Sequence, residues 1–270
     1  MSLHEHLSEE RYSRFADLTG RVVAVIGGTS GLGRAIALGL ARAGADVAVT
    51  GRREALVAEA AAEIEALGRR SLRVACDVRH RASIDAFRDA LLARFGAVHV
   101  LVNAAGITAR QAASDYPAQD WESLLDINVN GALRACQSFY EPLKACGSGR
   151  IVNIASLTSF VAFNRVLAYG VSKSAVLGLT RQLAVEWAPD GISVNAIAPG
   201  VFVTDLNRHM LDGTDRGREL RARTPMQRFG LAKELVPVAI LFASEAATFI
   251  TGQTLAVDGG FLASGVNSYT

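Results

Sequence analysis

Short β-branched runs recur at 22–27, 46–50, 71–76, 98–102, 150–155, 192–197 and 254–257, and most intervals between them are alanine-rich and helical in character. That alternation constrains the fold more than any other feature of the chain. Strands separated by helices cannot pair as hairpins. Each crossover returns the chain parallel to the strand before it, and the helices cover both faces of one parallel sheet. With 270 residues, half of them hydrophobic, a single α/β domain over 18–270 with a sheet of about seven strands builds a sizeable core without staples. Residues 1–17 precede the first strand as an extension, and no repeat or low-complexity linker interrupts the pattern.

Composition excludes several classes of function. The 28 basic and 26 acidic residues are spread along the chain for a net charge of +2, so there is no electrostatic footprint for nucleic acid. Cys76, Cys136 and Cys146 lack CxxC or Cys/His metal spacing, which argues against disulfides and zinc and for a reducing compartment. His4 and His6 read as a solvated tail rather than a metal pair, and no metal is expected. The N-terminus has no apolar leader core and no run approaches a membrane span, so cytoplasm is the default and no membrane partner is expected.

The first strand, Arg21-Val-Val-Ala-Val-Ile26, empties into Gly27-Gly-Thr-Ser-Gly31-Leu-Gly33 and then a helical run from Arg34. Strand, glycine turn and helix form the context a dinucleotide site requires. Gly27 and Gly31 let the backbone turn sharply and approach a pyrophosphate, Gly33 lets helix and strand pack closely, and the helix start offers unpaired N–H donors. Thr29, Ser30 and Leu32 fill the turn.

Tyr169 and Lys173 stand four apart in helical context, one turn from each other on one face. A phenol with a pKa of ~10 exchanges a proton near neutrality only if a neighbouring cation stabilises its phenolate, by about 4 kcal/mol for a shift to ~7. Lys173 is placed to supply that charge. Ser156 ends the apolar strand Arg150-Ile-Val-Asn-Ile-Ala-Ser156, where a hydroxyl can polarise a carbonyl.

Taken together, these motifs resemble the classical short-chain dehydrogenase/reductases over nearly the whole chain. The family's TGxxxGxG reads Ile26 to Gly33, its NNAG reads Asn103-Ala104-Ala105-Gly106, and its YxxxK runs from Tyr169 to Lys173. Ile26 and Ala104 depart from the usual Thr and Asn. The resemblance implies a Rossmann-type doubly wound sheet and a catalytic set of Asn128, Ser156, Tyr169 and Lys173. Asn130 competes with Asn128, which the pattern Asn128-Val-Asn-Gly131 favours.

For the cofactor, the resemblance implies contacts from Gly27, Thr29, Ser30, Gly31, Leu32, Gly33, Asn103, Ala104, Gly106, Tyr169, Lys173, Pro199, Gly200 and Thr204. Asp77 and Val78 are expected at the adenine, and Ile197 and Val201 at the nicotinamide face. Gly51 stands where an NAD-preferring relative carries an acid, and Arg52 follows it, ready to fork a 2′-phosphate. NADP is therefore expected, with NAD as the alternative.

Thr204 to Arg223 is polar and follows the Pro199-Gly200 turn, so it reads as a lid over the substrate. Trp121 and Trp187 read as packing residues. Gly106 to Arg110 and Arg223 to Gly230 resemble members acting on sugar acids, the gluconate 5-dehydrogenases and 2-deoxy-gluconate 3-dehydrogenases. Arg110, Arg165 and Arg208 are candidates to pair with a substrate carboxylate. A sugar acid or polyol-like small molecule is the expected substrate, with a 3-oxoacyl-ACP or CoA reductase as the alternative. A non-catalytic dinucleotide-binding regulator is the rival of another class. The resemblance also implies a homo-oligomer, a tetramer in preference to a dimer. Its expected contacts are the helices around 120–146 and 167–188, with a second interface near 261–270.

Overall fold

The computed structural model describes residues 15–204 and 207–265. Residues 1–14 of the extension, the last five of the expected C-terminal interface, and two residues inside the lid lie outside them. Among the described residues six strands form one sheet. They are β1 (Val22–Ile26), β2 (Asp46–Thr50), β3 (Val100–Asn103), β4 (Gly149–Ile154), β5 (Ile192–Pro199) and β6 (Thr254–Val257). Their order is β2-β1-β3-β4-β5-β6 and every pair is parallel.

The count corrects the expectation of about seven strands. The segment 71–76 does run beside β2, tied by Val47 N to Arg70 O (3.1 Å) and Cys76 N to Gly51 O (3.0 Å). Between those ends, two carbonyls are taken by hydroxyls: Ser71 Oγ donates to Val47 O (2.7 Å) and Thr50 Oγ1 donates to Val74 O (2.6 Å). Side chains thus replace amides at the middle of the edge, and no continuous ladder forms.

β1 shows why the sheet is covered on both sides. Val23 and Val25 enter one core with Val47, Val49, Val100 and Val102. Val22, Ala24 and Ile26 point the other way, into a core with Leu101, Ile151 and Val194. A strand with both faces apolar has no place at a solvated surface. The first core is closed by α1 (Gly31–Arg42) and α9 (Val236–Ala243), which meet where a Cβ on Gly39 would lie 2.3 Å from Val236 Cγ1. The second is closed by α3 (Arg81–Phe95) and α5 (Gly131–Ala145), with Phe87 and Phe139 between them. α2 (Glu54–Ala66) leads from β2 to the 71–76 segment, and α4 (Ala118–Leu125) leads into α5.

After β2 the chain crosses to the opposite side of β1 to make β3, so connections leave in both directions at β1 and β3. A crevice opens at such a switch point, beyond the carboxyl ends of the strands. The glycine turn after β1, the 104–110 loop after β3 and Ser156 after β4 all meet there. α6 (Leu167–Trp187) carries Tyr169 and Lys173 to the same end, and α7 (Arg208–Leu211) with α8 (Asp215–Arg223) follows β5. No helix among the described residues is long and apolar enough to cross a membrane.

Candidate active site

The glycine turn has the shape its sequence demands. Gly27 and Gly31 have φ of 84° and 53°, which side-chain-bearing residues rarely adopt. A Cβ on Gly27 would lie 2.4 Å from Ala105 N, and one on Gly33 would lie 2.1 Å from Gly27 O. The turn is pinned by Gly27 N and Gly28 N, both donating to Thr50 O (2.9 and 3.2 Å). Ile26, in place of the usual Thr, packs into the core, and its carbonyl accepts from Ala104 N (2.8 Å). The strand tie is therefore made by backbone, without the hydroxyl. Ser30 is the exposed N-cap of α1 with its hydroxyl uncommitted, Thr29 is buried, and Leu32 is half-buried against the core. Thr204 reaches back to the turn, its Cγ2 within 3.7 Å of where a Gly31 Cβ would stand.

At the end of β2, a Cβ on Gly51 would lie 2.9 Å from Thr29 Oγ1, so Thr29 fills the place beside it. Arg52 is exposed. Asp77 is forked by Arg79, with Nε donating at 3.1 and 3.0 Å and Nη2 at 2.5 Å. That pairing holds the Asp77 carboxyl down at about 2, and the nearby positive charge of Arg52 adds to the effect. Arg79, which sequence reasoning passed over, therefore joins Arg52 in a cationic corner at the adenosine end of the crevice. The signal was present as Asp-x-Arg, since Arg79 N also donates to Asp77 Oδ1 (3.0 Å) two residues back. Val78 is buried against Gly131.

Asn103 lies deeper than a floor contact requires. Its Nδ2 donates to Asn153 Oδ1 (2.9 Å) and Cys136 Sγ (3.3 Å), while Asn153 Nδ2 donates to Thr180 Oγ1 (2.9 Å). The two asparagines are register partners on β3 and β4, so this buried chain ties the strands together under the crevice. Ala104 sits above it, its Cβ 3.1 Å from where a Gly33 Cβ would be. Pro199 ends β5, and Gly200 lets the chain pass Asp258, whose Cα would be 2.6 Å from a Cβ there. Thr204 N donates to Asn207 Oδ1 (2.8 Å).

Beyond β4, Ser156 is extended and its Oγ accepts from Thr158 N (3.1 Å). The same hydroxyl stands close enough to the Tyr169 phenol to favour its ionised form. Lys173 is buried, its Nζ 5.8 Å from the Tyr169 ring centroid and donating to Ile154 O (2.7 Å). Burial brings the ammonium down to about 8. Tyr169 departs from the expected direction: burial pushes its phenol up, opposed by the Ser156 hydroxyl. The ammonium is aimed at a backbone carbonyl, and desolvation of the phenol outweighs the help it receives.

Asn128 lies in a single π-helical turn between α4 and α5. Its Oδ1 accepts from Ile107 N (2.8 Å), and its Nδ2 donates to Ile107 O (2.9 Å) and Ser172 Oγ (3.0 Å). A Cβ on Gly106 would lie 3.3 Å from Asn128 Oδ1 and 3.5 Å from Lys173 Nζ, so both groups border one small space in front of Gly106. Asn130 instead points outward, donating to Asp126 Oδ1 (3.3 Å). The wide turn thus buries one asparagine and exposes the other.

The segment after Thr204 is folded down over this end of the sheet. Leu211 and Leu220 are buried with Leu157, the neighbour of Ser156, and with Phe261. Trp187 is buried in the core, and Trp121 stacks edge-on against Tyr116. No group of three or more His, Cys, Asp or Glu among the described residues could hold a metal.

A family model described as enoyl-(acyl carrier protein) reductase matches residues 26–262. The 2-dehydro-3-deoxy-D-gluconate 5-dehydrogenase of Escherichia coli is 39% identical over 247 residues, 91% of this chain and 97% of that one. The chain belongs to the short-chain dehydrogenase/reductase family. Membership makes it an NAD(P)-dependent oxidoreductase acting on CH–OH donors. The D-threitol dehydrogenase of Mycolicibacterium smegmatis is 38% identical over 90% of this chain and 94% of its own. Among solved short-chain dehydrogenase/reductases, a gluconate 5-dehydrogenase from Burkholderia cenocepacia in complex with NADP and tartrate superposes with a TM-score of 0.89. It is 36% identical, covering 93% of this chain and 98% of that one.

Proposed function

We propose that the protein interconverts a secondary alcohol and a ketone on a sugar acid or polyol with NADP(H). The observation that carries this reading is the gathering of the Ser156 hydroxyl, the Tyr169 phenol and the buried Lys173 ammonium at one end of the sheet. The similarity to sugar-acid and polyol dehydrogenases supports the substrate class.

The crevice fits a dinucleotide, because Gly27 and Gly33 leave open a cradle that a Cβ would fill and α1 starts at its edge. When bound, the nicotinamide supplies or accepts the hydride. Gly27 to Gly33, with Thr29, Ser30, Gly31 and Leu32, hold the pyrophosphate, and Arg52 takes the 2′-phosphate. Asp77 and Val78 hold the adenine. Ala104 and Gly106 form the floor, tied from below by Asn103, and Pro199, Gly200 and Thr204 border the nicotinamide.

Ser156 holds the substrate oxygen by hydrogen bonding, and Tyr169 gives it a proton during reduction and removes one during oxidation. Lys173 carries the positive charge that favours the phenolate and contacts the nicotinamide ribose. Asn128, through its free Oδ1 lone pair, orders the space in front of Gly106 by which a proton reaches Lys173. The covering segment excludes water from the reacting carbon.

The protein acts as a cytoplasmic homo-oligomer, a tetramer in this reading. Leu167, Val171 and Val185 lie exposed along α6 and support an apolar contact between copies.

Steady-state assays of the purified protein with NADP+ and NAD+ on gluconate, a hexitol and threitol, and with NADPH on an acetoacetyl thioester, test the proposal. Turnover of the acid or polyols with NADP+ is expected. Preference for the thioester overturns the substrate class, and preference for NAD+ overturns the cofactor assignment.

A further inference from the structure

Arg216, on α8, is a half-buried cation without an ionic partner. Its Nη1 donates to Asn164 O (3.5 Å), and its guanidinium carbon lies 5.9 Å from the Phe163 ring centroid. Phe163 is itself held edge-on by Phe261 (5.8 Å between centroids), so the stacking surface is fixed from behind. Arg216 makes no ion pair among the described residues, whereas its neighbours Arg208 and Arg218 pair with Asp212 and Asp215. Burial pushes its pKa down, and the charge of Arg110 pushes it further, against an opposing pull from Glu219.

Arg110, through its neighbour Gln111, and Arg216 are tied to the same stretch of chain, residues 164–166. Arg110 is exposed and precedes Gln111, whose N donates to Arg165 O (2.9 Å) and which bridges Val166. Arg216 holds Asn164 O. That stretch ends one residue before α6 begins, and Tyr169 stands in the first turn of that helix. Two like charges at the rim of a crevice repel each other, and a half-buried guanidinium with spare N–H donors gains most from an anion placed between them.

We propose that Arg216, helped by Arg110, binds the carboxylate of the substrate and so selects sugar acids over neutral polyols. Of the other two candidates, Arg208 is paired with Asp212, and Arg165 stands exposed in a left-handed turn (φ 65°) without the stacking surface that fixes Arg216. Because Arg216 belongs to the covering segment, the anion also holds that segment to the rim. The inference rests on the proposed alcohol and ketone chemistry, but its test reads binding as well as turnover.

The test compares kcat/KM for D-gluconate and for the hexitol of the same carbon skeleton in wild type, Arg216→Met and Arg216→Lys. Met keeps the packing on Phe163 and removes the charge, and Lys keeps a charge without the planar fork. A charge-assisted pair of this exposure predicts that the acid-to-polyol ratio falls about tenfold in Arg216→Met, through KM, and about half as far on a logarithmic scale in Arg216→Lys. A ratio unchanged within about twofold overturns the inference, even if absolute activity drops. In parallel, the NADP+-loaded proteins are melted with D-gluconate. A stabilisation present in wild type and lost in Arg216→Met supports the site. Equal stabilisation of both, or none in wild type, overturns it. Should wild type be stabilised by gluconate yet oxidise neither compound, the anion site stands and the proposed reaction falls.

Discussion

Lys173 Nζ donates to Ile154 O at 2.7 Å while lying 5.8 Å from the Tyr169 ring centroid. The end of β4 thus holds the cation that the motif assigns to the phenol. The lysine is fully enclosed, and burial alone brings its pKa from 10.5 to about 8. Since the unfolded chain binds this proton more tightly than the folded one, the fold gains stability as pH rises from about 8 toward 10.5 and carries a constant cost below. That cost is on the order of 3 kcal/mol at neutral pH. Lys173→Met should therefore unfold at higher denaturant near pH 7, by roughly 1–3 kcal/mol after loss of one hydrogen bond, while losing activity. Urea melts at pH 7 and pH 10 check this. An equal or lower midpoint at pH 7 would show that the ammonium is not under strain.

The same ionisation should appear in catalysis. As pH rises through about 8 the ammonium is lost, and with it the charge that favours proton exchange at Tyr169. For carbonyl reduction by the free enzyme, log kcat/KM is expected to be level below about pH 8 and to fall with unit slope above it. A profile flat to pH 10 would dissociate Lys173 from the chemistry.

Tyr169→Phe removes the phenol oxygen and keeps the ring that packs near Lys173. Turnover should fall by at least about a thousandfold, in keeping with loss of general acid–base catalysis, with NADP(H) binding nearly unchanged. Binding is read by quenching or calorimetry. Activity above a tenth of wild type would sink the role of Tyr169.

How much of this was legible beforehand follows from what each feature depends on. The strands β1 to β5 were readable because burial on both faces writes itself as β-branched runs, and the glycine turn because only glycine fits φ of 84° at Gly27. The 71–76 segment was misread because whether an extended chain completes a ladder depends on its neighbour. Ser71 and Thr50 hydroxyls claim the carbonyls there. Helical spacing put Tyr169 and Lys173 on one face, but the aim of the ammonium is set by Ile154 on a strand 19 residues away. Arg79 and Arg216 escaped notice for a related reason. The chain is rich in arginine, so the local Asp77-x-Arg79 pairing does not stand out among them, and the seat of Arg216 against Asn164, 52 residues away, is set by tertiary placement.

The proposed assignment of Arg52 to the 2′-phosphate makes cofactor preference depend on the corner formed by Arg52, Arg79 and the place beside Gly51 that Thr29 fills. Arg52→Ala should lower kcat/KM for NADPH about tenfold, the value of a charge-assisted phosphate contact, and leave NADH unaffected. Gly51→Asp should do more than add a repelling charge, because its Cβ would lie 2.9 Å from Thr29 Oγ1. It is expected to shift preference to NADH but weaken both cofactors until Thr29 is cut back to Ala. Steady-state kinetics of the single and double variants test this coupling. Simple additivity would refute it.

The buried Asn103–Asn153 pair makes the last test, of whether the floor of the crevice is tied from below. Asn153 has no exposed surface, and its amide accepts from Asn103 Nδ2 and donates to Thr180 Oγ1, both at 2.9 Å. In Asn153→Leu, Asn103 keeps only the weak Cys136 Sγ acceptor, and Thr180 loses its donor while keeping its own bond to Val176 O. Stranded polar groups of this kind cost about 1–3 kcal/mol each, so a loss of roughly 2–5 kcal/mol is expected. Asn103→Leu combined with Asn153→Leu removes both amides of the pair, leaving fewer stranded groups, so it should be less destabilising than the sum of the singles. If Asn103 serves only this tie, the double variant, once folded, keeps its affinity for NADPH. A cofactor affinity that collapses while the melting temperature recovers would instead give Asn103 a direct place on the floor.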